Sequence, residues 1–176
     1  MKQLMIIGTD TDVGKTYVSG LILKKLHENG KKAAYFKAAM SGNIRLSDGS
    51  LLPGDADFVK TTSGISQSLA DMCPYVYETA VSPHLAAQIE GNPIEWETIQ
   101  EAYDTLCGTY DFVTVEGSGG ILCPLRHDET TSFSLADFVL SQHLSCLLVA
   151  DAGLGTLNYV GLTAAYLKSQ NIPLQG

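Results

Sequence analysis

The sequence predicts an α/β fold, a mainly parallel sheet flanked by helices on both faces, on three observations. Short apolar runs of strand length recur along the chain. Helix-period stretches alternate with them, so each helix returns the chain to start the next strand in parallel. The first run breaks into Gly8-Thr9-Asp10-Thr11-Asp12-Val13-Gly14-Lys15-Thr16 before a helical segment, which places the chain among P-loop nucleotide-binding folds.

The first strand is expected over Leu4 to Ile7. In the helix that follows, Val18, Leu21, Ile22 and Leu26 mark one apolar face, and Asn29-Gly30 supplies a stop. Ala33 to Phe36 reads as the second strand, and the polar, glycine-bearing stretch Leu46 to Gly54 as a mobile loop. Helices are expected over Asp55 to Thr62, Pro83 to Glu90 and Ile94 to Cys107. A strand at Phe112 to Val115 and a helix at Leu135 to Gln142 come next. A strand over Ser145 to Ala150 leads to a last helix, Thr156 to Gln170. Ile172-Pro173-Leu174-Gln175-Gly176 reads as the start of another strand, so the 176 residues are expected to form a single domain whose C-terminal part lies beyond them.

A net charge of −8 argues against a nucleic-acid surface, which needs clustered Lys and Arg. No apolar run approaches membrane-spanning length, and the N-terminus has a core strand where a secretion signal would lie. Cys73, Cys107, Cys123 and Cys146 lie far apart without zinc-like spacing and read as free thiols. A cytoplasmic protein without nucleic-acid or membrane partners is expected.

In the P-loop, backbone N–H groups and the positive end of the next helix cradle phosphates. Lys15 would reach the outer phosphates and Thr16 would help hold Mg²⁺. The usual first glycine of this motif would stand at Thr9; here Gly8 comes one residue earlier, a variant spacing. Lys37, at the carboxyl end of the second strand, either faces the ligand crevice as a fixed cation or is a solvated surface lysine. Asp55 and Asp57 could each cap a helix or approach a metal. Glu116, after the third strand and beside Gly117-Ser118-Gly119-Gly120, stands where Mg²⁺ is often anchored opposite a P-loop. Gly153 to Asn158 offers either an anion-binding helix start or an ordinary one. His27, His84, His127 and His143 show no ligand spacing.

Taken together, these motifs resemble ATP-dependent dethiobiotin synthetase over nearly the whole chain. The resemblance rests on the P-loop, K-A-A-M-S-G at Lys37 to Gly42, Gly54-Asp55-Ala56, S-P-H at Ser82 to His84, V-E-G-S-G-G at Val115 to Gly120, and Leu154 to Asn158. It implies that ATP and CO₂ convert 7,8-diaminononanoate to a cyclic urea through a carbamate and its mixed anhydride with phosphate. It further implies that Thr11, Asp12, Val13, Gly14, Lys15 and Thr16 hold the nucleotide, with Glu116 beside it. Lys37, Lys15 and Ser41 would act on the carbamate, and Thr16, Asp55 and Glu116 would surround Mg²⁺. Asp57 is the less favoured metal partner. Gly155, Thr156, Leu157 and Asn158 would receive the substrate carboxylate from the other subunit of a homodimer. Ala38-Ala39-Met40 replaces the family's more usual Pro-Val-x, and the family's adenine-reading asparagine lies beyond Gly176.

Two other readings are weaker. A cobyrinate-type amidotransferase synthetase needs a glutaminase domain that this length cannot hold. A partner-switching ATPase of the cell-division or partition kind usually carries a second lysine early in the P-loop, where Asp10 stands.

Overall fold

All four apolar runs form strands of one parallel sheet. The computed structural model describes residues 2–176. Its elements are β1 (Lys2–Gly8), α1 (Lys15–Glu28), β2 (Ala33–Phe36), β3 (Ala39–Met40), β4 (Ile44–Arg45), β5 (Leu51–Leu52), α2 (Gly54–Ser63), α3 (Leu69–Met72) and β6 (Tyr75–Val76). They continue with α4 (Pro83–Ile89), α5 (Trp96–Thr109), β7 (Phe112–Gly120), β8 (Pro124–His127), β9 (Ser132–Ser134), α6 (Leu135–Ser141), β10 (Cys146–Val149) and α7 (Thr156–Ser169). The strand order is β10-β1-β7-β2, every pair parallel. Beyond β10, Leu174 bridges Cys146 in parallel, and the Gln175 N–H donates to the Cys146 carbonyl at 2.8 Å, so the last residues lie alongside β10.

Strand alternation sends side chains into two cores. From β2, Ala33 and Tyr35 join Leu23, Ala56, Val59 and Met72 of the α1, α2 and α3 layer. Ala34 and Phe36 point the other way, to Tyr103, Leu106, Phe138 and Val139. There the Phe138 ring lies 5.4 Å from Tyr103 and 6.0 Å from Phe36, contacts worth about 0.5–1.5 kcal/mol each beyond area burial. Ile99, Tyr103 and Leu106 give α5 its buried stripe at i, i+4 and i+7. A capping box between Ser134 and Asp137 starts α6.

Three expectations are corrected. The buried stripe of α1 is Ser19, Gly20 and Leu23, while Leu21 is exposed. A Cβ on Gly20 would meet the Thr62 side chain at 3.2 Å, so α1 and α2 approach through a position with no side chain. Leu46 to Gly54 is not simply a loop: β4 and β5 pair antiparallel, Ile44 opposite Leu52, and Gly54 already belongs to α2. The third strand runs on to Gly120, so Glu116 lies inside β7, paired with Ile6, rather than after it. The short pairs β3–β6 and β8–β9 carry no periodic signal of their own and form through tertiary partners. No helix among the described residues is long and apolar enough to cross a membrane.

Candidate functional site

Because β1 and β7 are adjacent and parallel, the chain leaving Gly8 passes directly over the carboxyl end of β7. Asp12 takes φ +57° and Gly14 φ +99°, left-handed conformations that turn the loop before α1 begins. Gly8 explains the variant spacing. A Cβ there would stand 2.7 Å from the Asp10 carbonyl oxygen, 2.9 Å from Lys15 Nζ and 2.9 Å from Val13, so only glycine lets the loop fold back on β1. Lys15 Nζ donates to the Asp10 carbonyl at 2.6 Å and is buried. Burial, then the nearby Lys37 charge, lowers its pKa.

Beneath the loop lies a buried ionic cluster. Glu116 Oε1 accepts from Thr16 Oγ1 at 2.7 Å and from Lys37 Nζ at 3.0 Å, and Oε2 accepts from Ser19 Oγ at 2.8 Å. Lys37 Nζ also pairs with Asp55 Oδ2 at 2.5 Å. Burial alone would lower the Lys37 pKa, but Glu116 and Asp55 reverse this, and the net shift is upward. Lys37 is therefore a buried, charged group and not a surface lysine. Asp55 does not cap α2: Pro53 holds that position, no side chain caps the helix, and the Asp55 carboxylate turns to Lys37. Tyr35 buries its hydroxyl on the same sheet face without a hydrogen-bond partner. Burial, then the charges of Glu116 and Asp55, raises its pKa well above the ordinary value and keeps it neutral.

Two cavities meet at this cluster. One, of about 290 Å³, is lined by Thr11, Asp12, Gly14, Lys15, Thr16, Lys37, Asp55, Glu116 and Gly119, and is shaped for an anion on backbone donors. Val13 does not line it; its side chain packs under the loop beside Gly8. The other, of about 560 Å³, shares Thr11, Asp12, Lys37, Asp55 and Gly119 and adds Ser41, the Ala80 to Pro83 segment, Ser118 and Cys123. Ser41 Oγ donates to the Val81 carbonyl, and Ser118 Oγ to the Ala39 carbonyl at 2.9 Å, which fixes both walls. Asp57 and His84 line neither.

Thr16, Asp55 and Glu116 form a set of hard oxygen donors suited to Mg²⁺ beside a phosphate cradle. Among the described residues no cluster of three or more His, Cys, Asp or Glu side chains could hold a metal ion, so a magnesium site here would rest on two carboxylates and the Thr16 hydroxyl. Gly155, Thr156, Leu157 and Asn158 open α7 on an exposed segment and line neither cavity of their own chain. Sequence reasoning missed Ser19, Tyr35 and Cys123. Ser19 and Tyr35 look like ordinary helix and strand residues until Glu116 is placed, and Cys123 carries no motif. The Cys123 thiol is raised by burial, against the opposing pull of Lys15 and Lys37.

A family model described as an AAA domain matches residues 2–176. The chain is 46% identical over 173 residues to the ATP-dependent dethiobiotin synthetase BioD of Clostridium novyi, covering 98% of this chain and 72% of that protein. It is 43% identical over 175 residues to the protein of the same name from Brachyspira hyodysenteriae, covering 99% and 77%. Among solved structures, a ParA family ATPase from Chlorobium tepidum superposes with a TM-score of 0.55 at 15% identity, covering 99% of this chain and 70% of that one. That likeness concerns the fold alone.

Proposed function

The chain belongs to the family of ATP-dependent dethiobiotin synthetases, and from that membership we propose how its residues close the cyclic urea of dethiobiotin from 7,8-diaminononanoate, CO₂ and ATP. The observation that carries the assignment of roles is Lys37, whose ammonium borders both the phosphate cavity and the larger cavity beside it. A carbamate formed on one amine is anionic, and so is the γ-phosphate it must meet. Their approach needs concentrated positive charge held in place beforehand. Lys15 and Lys37, which line the same phosphate cavity, provide it.

The loop from Thr11 to Thr16 holds the triphosphate through its N–H groups and Lys15. Ser41 and Lys37 hold the carbamate in the larger cavity, with its oxygen directed at the γ-phosphorus. The carbamate oxygen bonds to the γ-phosphorus as the phosphorus bond to the bridging oxygen breaks and ADP leaves, and the resulting mixed anhydride makes the carbamate carbon electrophilic. The second amine then attacks that carbon, the ring closes, and phosphate leaves; no protein nucleophile is needed. Thr16, Asp55 and Glu116 would hold a magnesium ion, which would neutralise phosphate charge. Gly155 to Asn158 reach the substrate carboxylate across a homodimer, in the cytoplasm, where free thiols stay reduced.

The test is ATP hydrolysis with bicarbonate and magnesium, with and without the diamine, while product is followed by mass spectrometry. Phosphate release that depends on the diamine and accompanies the cyclic urea supports the reading. Release indifferent to the diamine defeats it. Lys37→Ala is expected to abolish turnover while nucleotide binding persists; a wild-type rate in that variant removes Lys37 from its role.

A further inference from the structure

Lys37 occupies a place that another cation needs. Its ammonium lies 2.5 Å from Asp55 Oδ2 and 3.0 Å from Glu116 Oε1. Those two carboxylates are two of the three groups assigned above to magnesium, and the third, Thr16, gives its hydroxyl hydrogen to the same Glu116 oxygen at 2.7 Å. The Glu116 side chain is fully buried and that of Lys37 is 8% exposed, so their charges are poorly screened by solvent. Lys37 is the ammonium in contact with both carboxylates, whereas Lys15, which lines the same cavity, donates to the Asp10 carbonyl instead, so a single ammonium is shared between the two. A divalent cation balances both, and then nothing holds Lys37 against them. Since Lys37 also borders the Ser41 cavity, it has somewhere to go.

Resting on the proposed metal assignment, we propose that Lys37 is a displaceable counter-ion: it fills the metal seat in the nucleotide-free protein, and loading of a divalent cation releases its ammonium toward Ser41. Three consequences follow from charge balance alone. Neither the buried Glu116 carboxylate nor the half-exposed Asp55 carboxylate is ever left unpaired. The larger cavity gains its cation only once the phosphate side is loaded, so an anionic carbamate is held most strongly when its phosphoryl donor is present. Metal binding without nucleotide is weak, because it must compete with an ion pair already made.

The experiment measures Mn²⁺ binding by electron paramagnetic resonance in the absence of nucleotide. Lys37→Gln is expected to bind Mn²⁺ about tenfold or more tightly than wild type, because the competing charge is gone. Lys37→Arg, which keeps the charge, is expected to show no such gain. Binding by Lys37→Gln no tighter than wild type overturns the exchange. Glu116→Gln and Asp55→Asn test the underlying assignment separately: if both bind Mn²⁺ with a non-hydrolysable ATP analogue as wild type does, the metal seat itself is misplaced, whatever Lys37 does. A readout on the unaltered protein guards against a variant that fails to fold. The ¹⁵Nζ resonance of Lys37 is expected to stay put on adding the analogue with chelator and to move when Mg²⁺ is supplied; a resonance indifferent to Mg²⁺ overturns the proposal.

Discussion

Ser19 ties the far oxygen of Glu116 to the body of α1, and it does so from complete burial. Its single hydroxyl hydrogen lies within reach of both Glu116 Oε2 at 2.8 Å and the Lys15 carbonyl at 2.9 Å, and the carboxylate is the stronger acceptor. With Oε2 anchored, Oε1 is the oxygen presented to Thr16 and Lys37. Ser19 is thus a positioning residue for a metal-holding carboxylate. Ser19→Ala is expected to raise the magnesium concentration at half-maximal rate by about tenfold or more, the usual cost of losing such a supporting contact. Nucleotide affinity measured in chelator should not change, and Ser19→Thr should restore the magnesium dependence. An unchanged magnesium titration in Ser19→Ala would refute the role. Lys37 leads to a pH dependence of opposite sense to that of an acid. Its folded pKa is raised above the ordinary 10.5, so its stabilising contribution is complete below 10.5 and is lost as pH climbs through the higher folded value. In metal-free protein, the melting-temperature gap between wild type and Lys37→Met should stay level from neutral pH to about 10 and narrow only above it. A gap that closes near pH 8 would mean that the carboxylates do not hold the ammonium.

The elements show which parts of a chain announce themselves. The P-loop between β1 and α1, the extent of α5 and the strand runs were legible because each is a local pattern carried by a short stretch of chain. The face of α1 was not legible. Two of its buried positions are Ser19 and Gly20, which serve a carboxylate on β7 and the close approach of Thr62 on α2, and neither demand leaves an apolar mark. The apolar run of β7 ends at Val115, yet pairing with β1 extends the strand to Gly120. The alternatives for Lys37 and Asp55 turned on each other: once the two side chains pair, one is neither solvated nor the other a cap. The same logic gives Gly8 a test. In Gly8→Ala the added methyl group meets the Asp10 carbonyl oxygen, Lys15 Nζ and Val13, all under 3 Å, so the loop must shift while the sheet below it need not. Nucleotide binding is expected to weaken by about tenfold or more, as displaced N–H groups lose the phosphates. Circular dichroism should remain that of the wild type, and near-normal nucleotide affinity would show that the loop does not need its fold-back at Gly8.

At the scale of the molecule, α7 is the element that the single chain leaves unexplained. Its core contribution is Leu167, whereas Leu157 and Leu162 on the helix and Leu154 just before it are 87%, 63% and 107% exposed. Three leucines in water around one helix start form a patch suited to burial against another chain. The residues expected to receive the substrate carboxylate, Gly155 to Asn158, sit in the middle of that patch and away from the cavities of their own chain. Both facts are met by a two-fold dimer in which each α7 completes its neighbour's site, and this arrangement makes a prediction that a monomer cannot satisfy. Lys37→Ala removes a residue that a site takes from its own chain; Asn158→Asp sets a negative charge where a site takes its neighbour's help. Each variant alone should have little activity. In a mixed dimer one site carries both changes and the other carries neither, so the second is intact. Refolding the two variants together in equal amounts should place half of the chains in mixed dimers and recover about a quarter of wild-type activity. Recovery near zero, with mixed dimers demonstrated by mass spectrometry, would show that Asn158 serves its own chain and that the leucine patch has another use.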